Sequence, residues 1–350
     1  MSYRNIALFL ALFMVFATPC KGEILTGAGA SFPYPLYNFW FDKYAEQTGV
    51  RITYQAVGSG AGIKSLLARD VDFGATDAFL KDEEISGELN SIIHIPTCLG
   101  AVTVTYNLVN APSIKLTPYI LSQIFLGRIC NWSDEHISRI NPGVDFPEMP
   151  ITVVHRSESS GTNYIFTNYL TKVNKEWAET VGEGKVVKWI TGIGVERNAG
   201  MADYIKRIEG SIGYVELSYA LANKLPLTSL QNQSGNFISP TILSVTTAAD
   251  VDLPEDTRIM LTNTPAKSGY PISGFTYLIL YEDQCYLNRS KERALSLVAF
   301  LWWVIHNGQA YAEDLGYAPL PSNAVRLAEN LLYKVNYNGL PLLEIGGDNK

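Results

Sequence analysis

The sequence has few cysteines, few histidines and no long hydrophobic run, and each shortage excludes a class of protein. Its 350 residues include four cysteines and four histidines, widely spaced and without a CxxC motif. A zinc enzyme therefore has no visible ligand set. The apolar runs at residues 6–17 and 294–305 are shorter than the roughly 20 residues that span a bilayer. No basic tail or stripe is present, so nucleic acid is not an expected partner.

The first 22 residues differ in composition from the rest of the chain. Arg4 precedes the apolar run at residues 6–17, and the small residues of "TPCKG" follow, which is the order of a secretory signal peptide. We predict that residues 1–22 are removed. A lipid anchor on Cys20 is the less favoured alternative, because Pro19 is unlike the small residue that lipoprotein processing prefers. Removal takes away two of the 27 lysines and arginines, leaving 25 against 34 acidic residues and a net charge of −9.

Three cysteines remain after this processing: Cys98, Cys130 and Cys285. Their number is odd and their spacings are long, so the sequence allows two arrangements. One disulfide with one buried thiol is the first, and three buried free thiols are the second.

Strand-like and helix-like segments alternate along the mature chain, which predicts an α/β fold. "EILTGAGAS", "RITYQAVGS" and "VDFGATDA" are predicted strands, and "YPLYNFWFDKYAEQTG" is a predicted helix that ends at Gly49. "TNYIFTNYLTKVNKEWAETV" is predicted as one helix. "KERALSLVAFLWWVIHNGQAYAEDLG" is predicted to close the chain as one or two helices packed on the core.

Two long extended runs, at residues 92–108 and 269–281, divide the chain. We expect them to cross between two lobes, with a hinge near residues 95–103 and 270–278. Residues 23–98 and 274–350 would then form one lobe. Residues 99–273 would form the second lobe, inserted into the first.

Four segments place glycines and small polar residues where a predicted strand ends: "GAGASFPYP", "VGSGAGIK", "FGATDAF" and "HRSESSGTN". Three of them open a helix, where unpaired N–H groups and a partial positive charge favour an anion. Each alone is weak, because Ser31, Ser59 and Thr162 would also be ordinary helix caps. "GSGAGIKS" is not a phosphate loop, since Lys64 does not directly follow a glycine at the required spacing.

Two charged residues make the type of anion more specific. Arg156 supplies a permanent charge in a planar fork that suits an oxyanion, and Glu158 could orient that fork. Asp77 would repel an oxyanion unless the anion still carries a proton, which the carboxylate could accept. Monohydrogen phosphate has such a proton at neutral pH, whereas sulfate has none.

These motifs resemble the periplasmic phosphate-binding proteins of phosphate-specific ABC transporters. The shared motifs are "LTGAGASFPYPLY", "VGSGAGIK", "VDFGATDA", "RSESSGTNYIFTNYL", "VNKEWAETVGEGKVVKW", "GSIGYVE" and "LGYAPLP", in the order the family has them. The resemblance covers essentially the whole mature chain. It implies two α/β lobes joined by a two-strand hinge, with phosphate buried in the cleft between them.

The resemblance also implies the ligand set and the partners. The implied phosphate-binding residues are Ser31, Phe32, Ser59, Asp77, Arg156, Ser160, Gly161 and Thr162. Glu158 stands where many members have aspartate, so its hold on the arginine would differ. The expected protein is a periplasmic monomer without cofactor that passes phosphate to a membrane permease.

Two alternatives remain open on the sequence alone. A binder for another tetrahedral oxyanion, such as sulfate or molybdate, is opposed by Asp77. A secreted phosphatase or esterase would need an activated nucleophile or metal ions, and no GxSxG motif is present. His155 neighbours Arg156, but adjacent strand residues point to opposite faces. We therefore expect a binding protein and not an enzyme.

Overall fold

Eight strands of the protein form one mixed sheet, with helices packed against it. The computed structural model describes residues 24–85, 92–109 and 113–344, so the predicted signal peptide lies outside the described residues. The strands are β1 (Ile24–Gly29), β2 (Arg51–Gln55), β3 (Phe73–Thr76), β4 (Ile92–Tyr106), β5 (Lys115–Leu116), β6 (Thr152–Arg156), β7 (Ile193–Val195), β8 (Ser211–Glu216), β9 (Ser229–Gln231), β10 (Phe237–Ile238), β11 (Ser273–Tyr281), β12 (Asn336–Tyr337) and β13 (Leu340–Pro341).

The helices alternate with the strands through most of the chain, which confirms the predicted α/β class. They are α1 (Tyr34–Thr48), α2 (Ser59–Leu67), α3 (Asp82–Ile85), α4 (Pro118–Phe125), α5 (Glu135–Ile140), α6 (Gly161–Val173), α7 (Lys175–Thr180), α8 (Arg197–Arg207), α9 (Leu217–Asn223), α10 (Ile242–Ala248), α11 (Lys291–Ile305) and α12 (Ser322–Leu332).

The long strand β4 joins the two halves of the large sheet. The strand order is β2-β1-β3-β11-β4-β8-β6-β7, and every residue of β4 is buried. Its first part pairs antiparallel with β11, and its last part, Val102–Tyr106, pairs antiparallel with β8. The predicted division into residues 23–98 plus 274–350 and 99–273 stays a prediction.

Helix α1 shows how aromatic residues build the core beside the first strands. Its buried face includes Tyr37, Trp40, Phe41 and Tyr44. Phe41 packs against a ring of β3 and a ring of α11, and Tyr44 packs against the same α11 ring. The helix ends as predicted at Gly49, whose φ of 79° is left-handed. Glycine adopts that conformation without the steric cost of a Cβ atom.

Two helix predictions were wrong. The segment predicted as one helix is divided into α6 and α7, because Asn174 is extended (φ −142°, ψ 117°) and its side chain accepts a hydrogen bond from Trp177 N. A cap residue inside a helical pattern starts a new helix there. The predicted closing segment ends as α11 and two 3-10 turns, and it is followed by a further helix, α12.

The cysteines form no disulfide in the described part of the chain. Cys98 is buried, whereas Cys130 and Cys285 are exposed, and all three thiols are free. Both predicted arrangements were therefore wrong, the second because two of the thiols face solvent. Over the described residues, no helix combines the length and apolar character needed to cross a membrane.

Candidate anion-binding site

The starts of helices α2 and α6 meet beside the end of β3. A Cβ atom on Gly161 would lie 2.3 Å from Ser59 Oγ and 2.6 Å from Asp77 Oδ2. Gly60 N also donates a hydrogen bond to Ser159 O over 3.1 Å. Three of the segments selected from the sequence are therefore in contact, and only a glycine at position 161 allows that approach.

Asp77 is buried at this junction and is held by hydroxyl groups. Its Oδ1 accepts a hydrogen bond from Thr276 Oγ1 at 2.8 Å, and its backbone N–H donates to Ser59 Oγ at 3.2 Å. Burial raises the pKa of Asp77 to about 7, against the opposing effects of the Thr276 hydrogen bond and the charge of Arg156. The carboxyl group can thus hold or accept a proton near neutral pH.

Arg156 ends β6 with its guanidinium buried and partly engaged. Both Nε and Nη2 donate to Glu158 Oε1, the Nε bond being 3.0 Å long. The third nitrogen, Nη1, has no hydrogen-bond partner among the described residues. Glu158 therefore occupies one edge of the guanidinium, and Nη1 keeps an unused hydrogen-bond donor capacity.

Glu158 stays ionised beside this arginine. Burial alone raises the pKa of Glu158, but the hydrogen bonds and charge of Arg156 outweigh burial and hold that pKa below its ordinary value. Glu158 Oε1 also accepts a hydrogen bond from Arg197 N at 3.0 Å. The carboxylate thus offsets the arginine charge and fixes the direction of its fork.

The first turn of α6 presents unpaired backbone donors. Ser160 caps the helix, because its Oγ accepts a hydrogen bond from Asn163 N at 3.1 Å. The N–H groups of Gly161 and Thr162 lie in the first turn, where an α-helix offers no intrahelical acceptor. The capping role leaves the hydroxyl hydrogen of Ser160 free to donate to an anion.

Asn198 links the two sides of the site and was not predicted from the sequence. Its Nδ2 donates to Ser31 Oγ and to Thr162 Oγ1, each at 3.2 Å, and its Oδ1 accepts from Glu216 N at 3.0 Å. The residue is fully buried near the start of α8. Thr276, in the middle of β11, was not predicted either. A single polar side chain inside an ordinary helix or strand carries no local sequence signal, which explains why both residues were missed.

The loop after β1 is anchored by tyrosines through its carbonyl groups. Tyr219 OH donates to Ser31 O and Tyr317 OH donates to Phe32 O, both at 2.7 Å. The Phe32 ring packs against Gly100, where a Cβ atom would lie 2.6 Å from Phe32 Cζ. These contacts hold the loop so that the Ser31 hydroxyl meets Asn198.

The predicted site residues therefore fall in one buried region, although their role as ligands stays a prediction. Those less than 5% exposed are Ser31, Phe32, Ser59, Asp77, Arg156, Ser160 and Thr162. A cavity of about 370 Å³ reaches Ser31 from the surface beside Tyr34 and Arg197. His155 does not join them, since its ring stacks on Trp189 at 4.6 Å.

Comparison with known proteins gives relatives over most of the chain. A family model described as a PBP superfamily domain matches residues 16–307. Phosphate-binding protein PstS of Pasteurella multocida (strain Pm70) is 39% identical over 328 residues, which cover 92% of this chain and 94% of that protein. Phosphate-binding protein PstS of Methanocaldococcus jannaschii is 36% identical over 332 residues, which cover 88% of this chain and 85% of that protein.

Solved structures share the architecture. PfluDING, a high affinity periplasmic phosphate-binding protein bound with phosphate, superposes with a TM-score of 0.70 at 22% identity, covering 92% of this chain and 100% of that one. An ABC-type phosphate transport receptor from Vibrio cholerae gives a TM-score of 0.55 at 19% identity, covering 85% and 100%. This likeness confirms the two-lobed α/β fold that the sequence predicted.

Proposed function

Because the chain belongs to the phosphate-binding protein family of the PBP superfamily, we propose that it binds inorganic phosphate and delivers it to the permease of a phosphate ABC transporter. The family expected from the motifs is thereby confirmed. The observation that carries the proposal is the contact of Ser59, Asp77 and Gly161 in one buried site with an unpaired arginine nitrogen nearby.

The proposed ligands supply donors from both sides of the site. Phosphate oxygens would accept hydrogen bonds from side-chain hydroxyls, backbone N–H groups and one arginine nitrogen. These donors are the hydroxyls of Ser31, Ser59 and Ser160, the N–H groups of Phe32, Gly161 and Thr162, and Arg156 Nη1. Asp77 would accept the proton that the bound phosphate retains. Because Glu158 offsets the one arginine, binding depends on many hydrogen bonds in a dry site, where they are stronger than in water.

Capture would proceed by closure of two lobes. Phosphate binds the donors of one lobe, and the second lobe then closes and excludes water. The contact of the start of α6 with α2 and β3 supports this proposal, because a closed cleft requires it. The permease, a periplasmic location and a monomeric state belong to this proposal.

Other oxyanions and enzymatic hydrolysis fit the site less well. Sulfate lacks the proton that Asp77 would accept, and the two PstS relatives are named for binding phosphate. The direct test is calorimetric titration of phosphate-stripped mature protein with phosphate, arsenate and sulfate. Phosphate and arsenate should compete for one site and sulfate should not. A phosphate ester should yield no product; turnover of the ester would overturn the proposal.

A further inference from the structure

Asn198 contacts two of the proposed phosphate ligands through a single side-chain amide. It lies in the first turn of α8 and is fully buried. Its Nδ2 lies 3.2 Å from Ser31 Oγ, just after β1, and 3.2 Å from Thr162 Oγ1, in the first turn of α6. One side chain therefore joins the hydroxyl groups of two segments that are distant in sequence.

The orientation of the Asn198 amide is fixed by the backbone. Its Oδ1 accepts a hydrogen bond from Glu216 N at 3.0 Å, at the last residue of β8. An amide nitrogen cannot accept a hydrogen bond from that N–H group, so Nδ2 must face the two hydroxyls. Both hydrogens of Nδ2 are then used, one for Ser31 and one for Thr162.

The hydroxyl of Ser31 receives two hydrogen bonds in this arrangement. Asn198 Nδ2 and the Asn198 backbone N–H both donate to Ser31 Oγ, at 3.2 and 3.4 Å. A hydroxyl oxygen has two acceptor positions and one hydrogen, so both acceptor positions of Ser31 are occupied. Toward a ligand, Ser31 can therefore act only as a donor. Thr162 Oγ1 accepts from Nδ2 and likewise keeps its hydrogen for a further acceptor.

Such hydroxyls suit a deprotonated oxygen and not a protonated one. A hydroxyl that accepts hydrogen bonds also donates more strongly, because hydrogen bonds in a chain polarise one another. A phosphate oxygen that kept its proton beside Ser31 would meet a donor and find no acceptor. In the proposed ligand set the acceptor is Asp77, so the retained proton has its partner there.

We propose that Asn198 is a positioning residue for phosphate: its amide directs the hydroxyl hydrogens of Ser31 and Thr162 toward the anion and so confines the retained proton to the side of Asp77. This inference rests on the proposed function, because it concerns the same site. The competing explanation is that the amide only ties α8 to β8 and to the loop after β1. That structural role would act whether or not the two hydroxyls are present, whereas the positioning role requires them.

The experiment is a thermodynamic cycle on phosphate affinity, measured by calorimetric titration of the phosphate-stripped mature protein. Asn198→Ala is made in the wild type and in Ser31→Ala/Thr162→Val, which lacks both hydroxyls. In the wild type it should weaken phosphate binding at least about tenfold, as for a lost hydrogen bond to a charged group. In the variant without the hydroxyls the same substitution should change the affinity by less than about twofold, within the error of additivity.

Asn141→Ala is the matched control. Asn141 is also a buried asparagine whose three hydrogen bonds are used, but it ties α5 to β5 in the small three-stranded sheet. Its Nδ2 donates to Lys115 O and Ile137 O, and its Oδ1 accepts from Lys115 N. Asn141→Ala should change phosphate affinity by less than about twofold. A tenfold loss in this control would make the effect of Asn198→Ala unspecific and would overturn the inference.

A second measurement needs no substitution at position 198, so it holds even if Asn198→Ala does not fold. Both side-chain NH₂ signals of Asn198 should shift in the NMR spectrum when phosphate binds to the wild type, because hydroxyls that donate to an anion become stronger acceptors. The NH₂ signals of Asn141 should stay in place. Unmoved Asn198 signals, or a tenfold loss that persists without the two hydroxyls, overturn the inference alone. A wild type that does not bind phosphate overturns the proposed function as well.

Discussion

At the scale of single residues, the site depends on how each charge is compensated. Arg156 has one edge on Glu158 and one nitrogen unpaired, so its proposed contribution to phosphate binding is a single charge-assisted contact. Burial raises the pKa of Asp77 to about 7, so its carboxyl group changes between the charged and uncharged forms near neutral pH. In the proposed site, these two environments would let a protein of negative net charge select an anion.

The arginine contact gives the first prediction. Arg156→Ala should weaken phosphate binding about ten- to a hundredfold, because a charge-assisted hydrogen bond contributes roughly 1.5–3 kcal/mol. Calorimetric titration measures the change, with circular dichroism as the check on folding. Arg128→Ala, which removes an exposed arginine paired with Glu176, is the control and should leave affinity unchanged. Unaltered binding by Arg156→Ala would remove this residue from the site.

At the scale of elements, the site depends on how closely α6 approaches α2 and β3. Gly161→Ala should place a methyl group where Gly161 contacts Ser59 and Asp77. The methyl group should hold the start of α6 away from α2 and β3. We expect at least about a tenfold loss of phosphate affinity, since dry hydrogen bonds would become solvated. Gly200→Ala, in helix α8, meets its nearest atom at 3.2 Å, a valine methyl, and serves as the control. Full affinity in Gly161→Ala would show that closure does not need this contact.

An ion pair also connects α3 with the segment beside α6. Lys185 Nζ lies 3.1 Å from Glu84 Oε1, across 101 positions of sequence. Because partly exposed pairs contribute about 0.2–1 kcal/mol, Lys185→Gln should speed phosphate release by up to about fivefold. Stopped-flow release rates test this, with Lys175→Gln, from an exposed pair on α7, as the control. A rate equal to the wild type at low salt would show that the pair does not hold the cleft closed.

At the scale of the whole molecule, buried carboxyl groups make stability depend on pH. Burial raises the pKa of Glu216 to about 8 and that of Asp77 to about 7. Below those values the folded protein keeps protons that the unfolded chain releases, so stability falls as pH rises towards 8. Burial lowers the pKa of His94 to about 3. Below the ordinary histidine pKa of 6.5 the unfolded chain therefore binds a proton that the folded protein does not, so His94 makes stability rise with pH up to that value. Between pH 6.5 and 8 the effect of the two carboxyl groups is therefore no longer opposed by His94.

The expected result is a lower urea midpoint at pH 8 than at pH 6.5 for the phosphate-free protein. Glu216→Gln should reduce that difference, because glutamine cannot release a proton. Glu329→Gln is the control, because Glu329 lies on helix α12 and is half-buried beside His306. This variant should keep the difference between the urea midpoints at pH 6.5 and pH 8. A midpoint that rises between pH 6.5 and 8 would contradict the assignment.

Much of this molecule could be predicted from local sequence, and the failures have separate causes. Ser59 and Asp77 follow β2 and β3, which both pair parallel with β1, so their proximity could be predicted. Gly161 follows β6, which lies beyond β11, β4 and β8, and only the tertiary fold brings it to them. Asn198 and Thr276 lie inside a helix and a strand far along the chain, and only the tertiary fold brings them to the site. The helix break at Asn174 was missed because the apolar pattern continues through it. Helix α12 was missed because the chain was expected to end with the preceding helix.

The central claim is that a buried carboxyl selects an anion that still carries a proton. The measurement that tests it most directly is the ratio of sulfate to phosphate dissociation constants at fixed pH, in wild type and Asp77→Asn. A site built for one hydrogen bond can reject a ligand lacking it by about 10⁴–10⁵. The account predicts that this ratio falls sharply in the variant, through weaker phosphate binding and measurable sulfate binding. An unchanged ratio would contradict it.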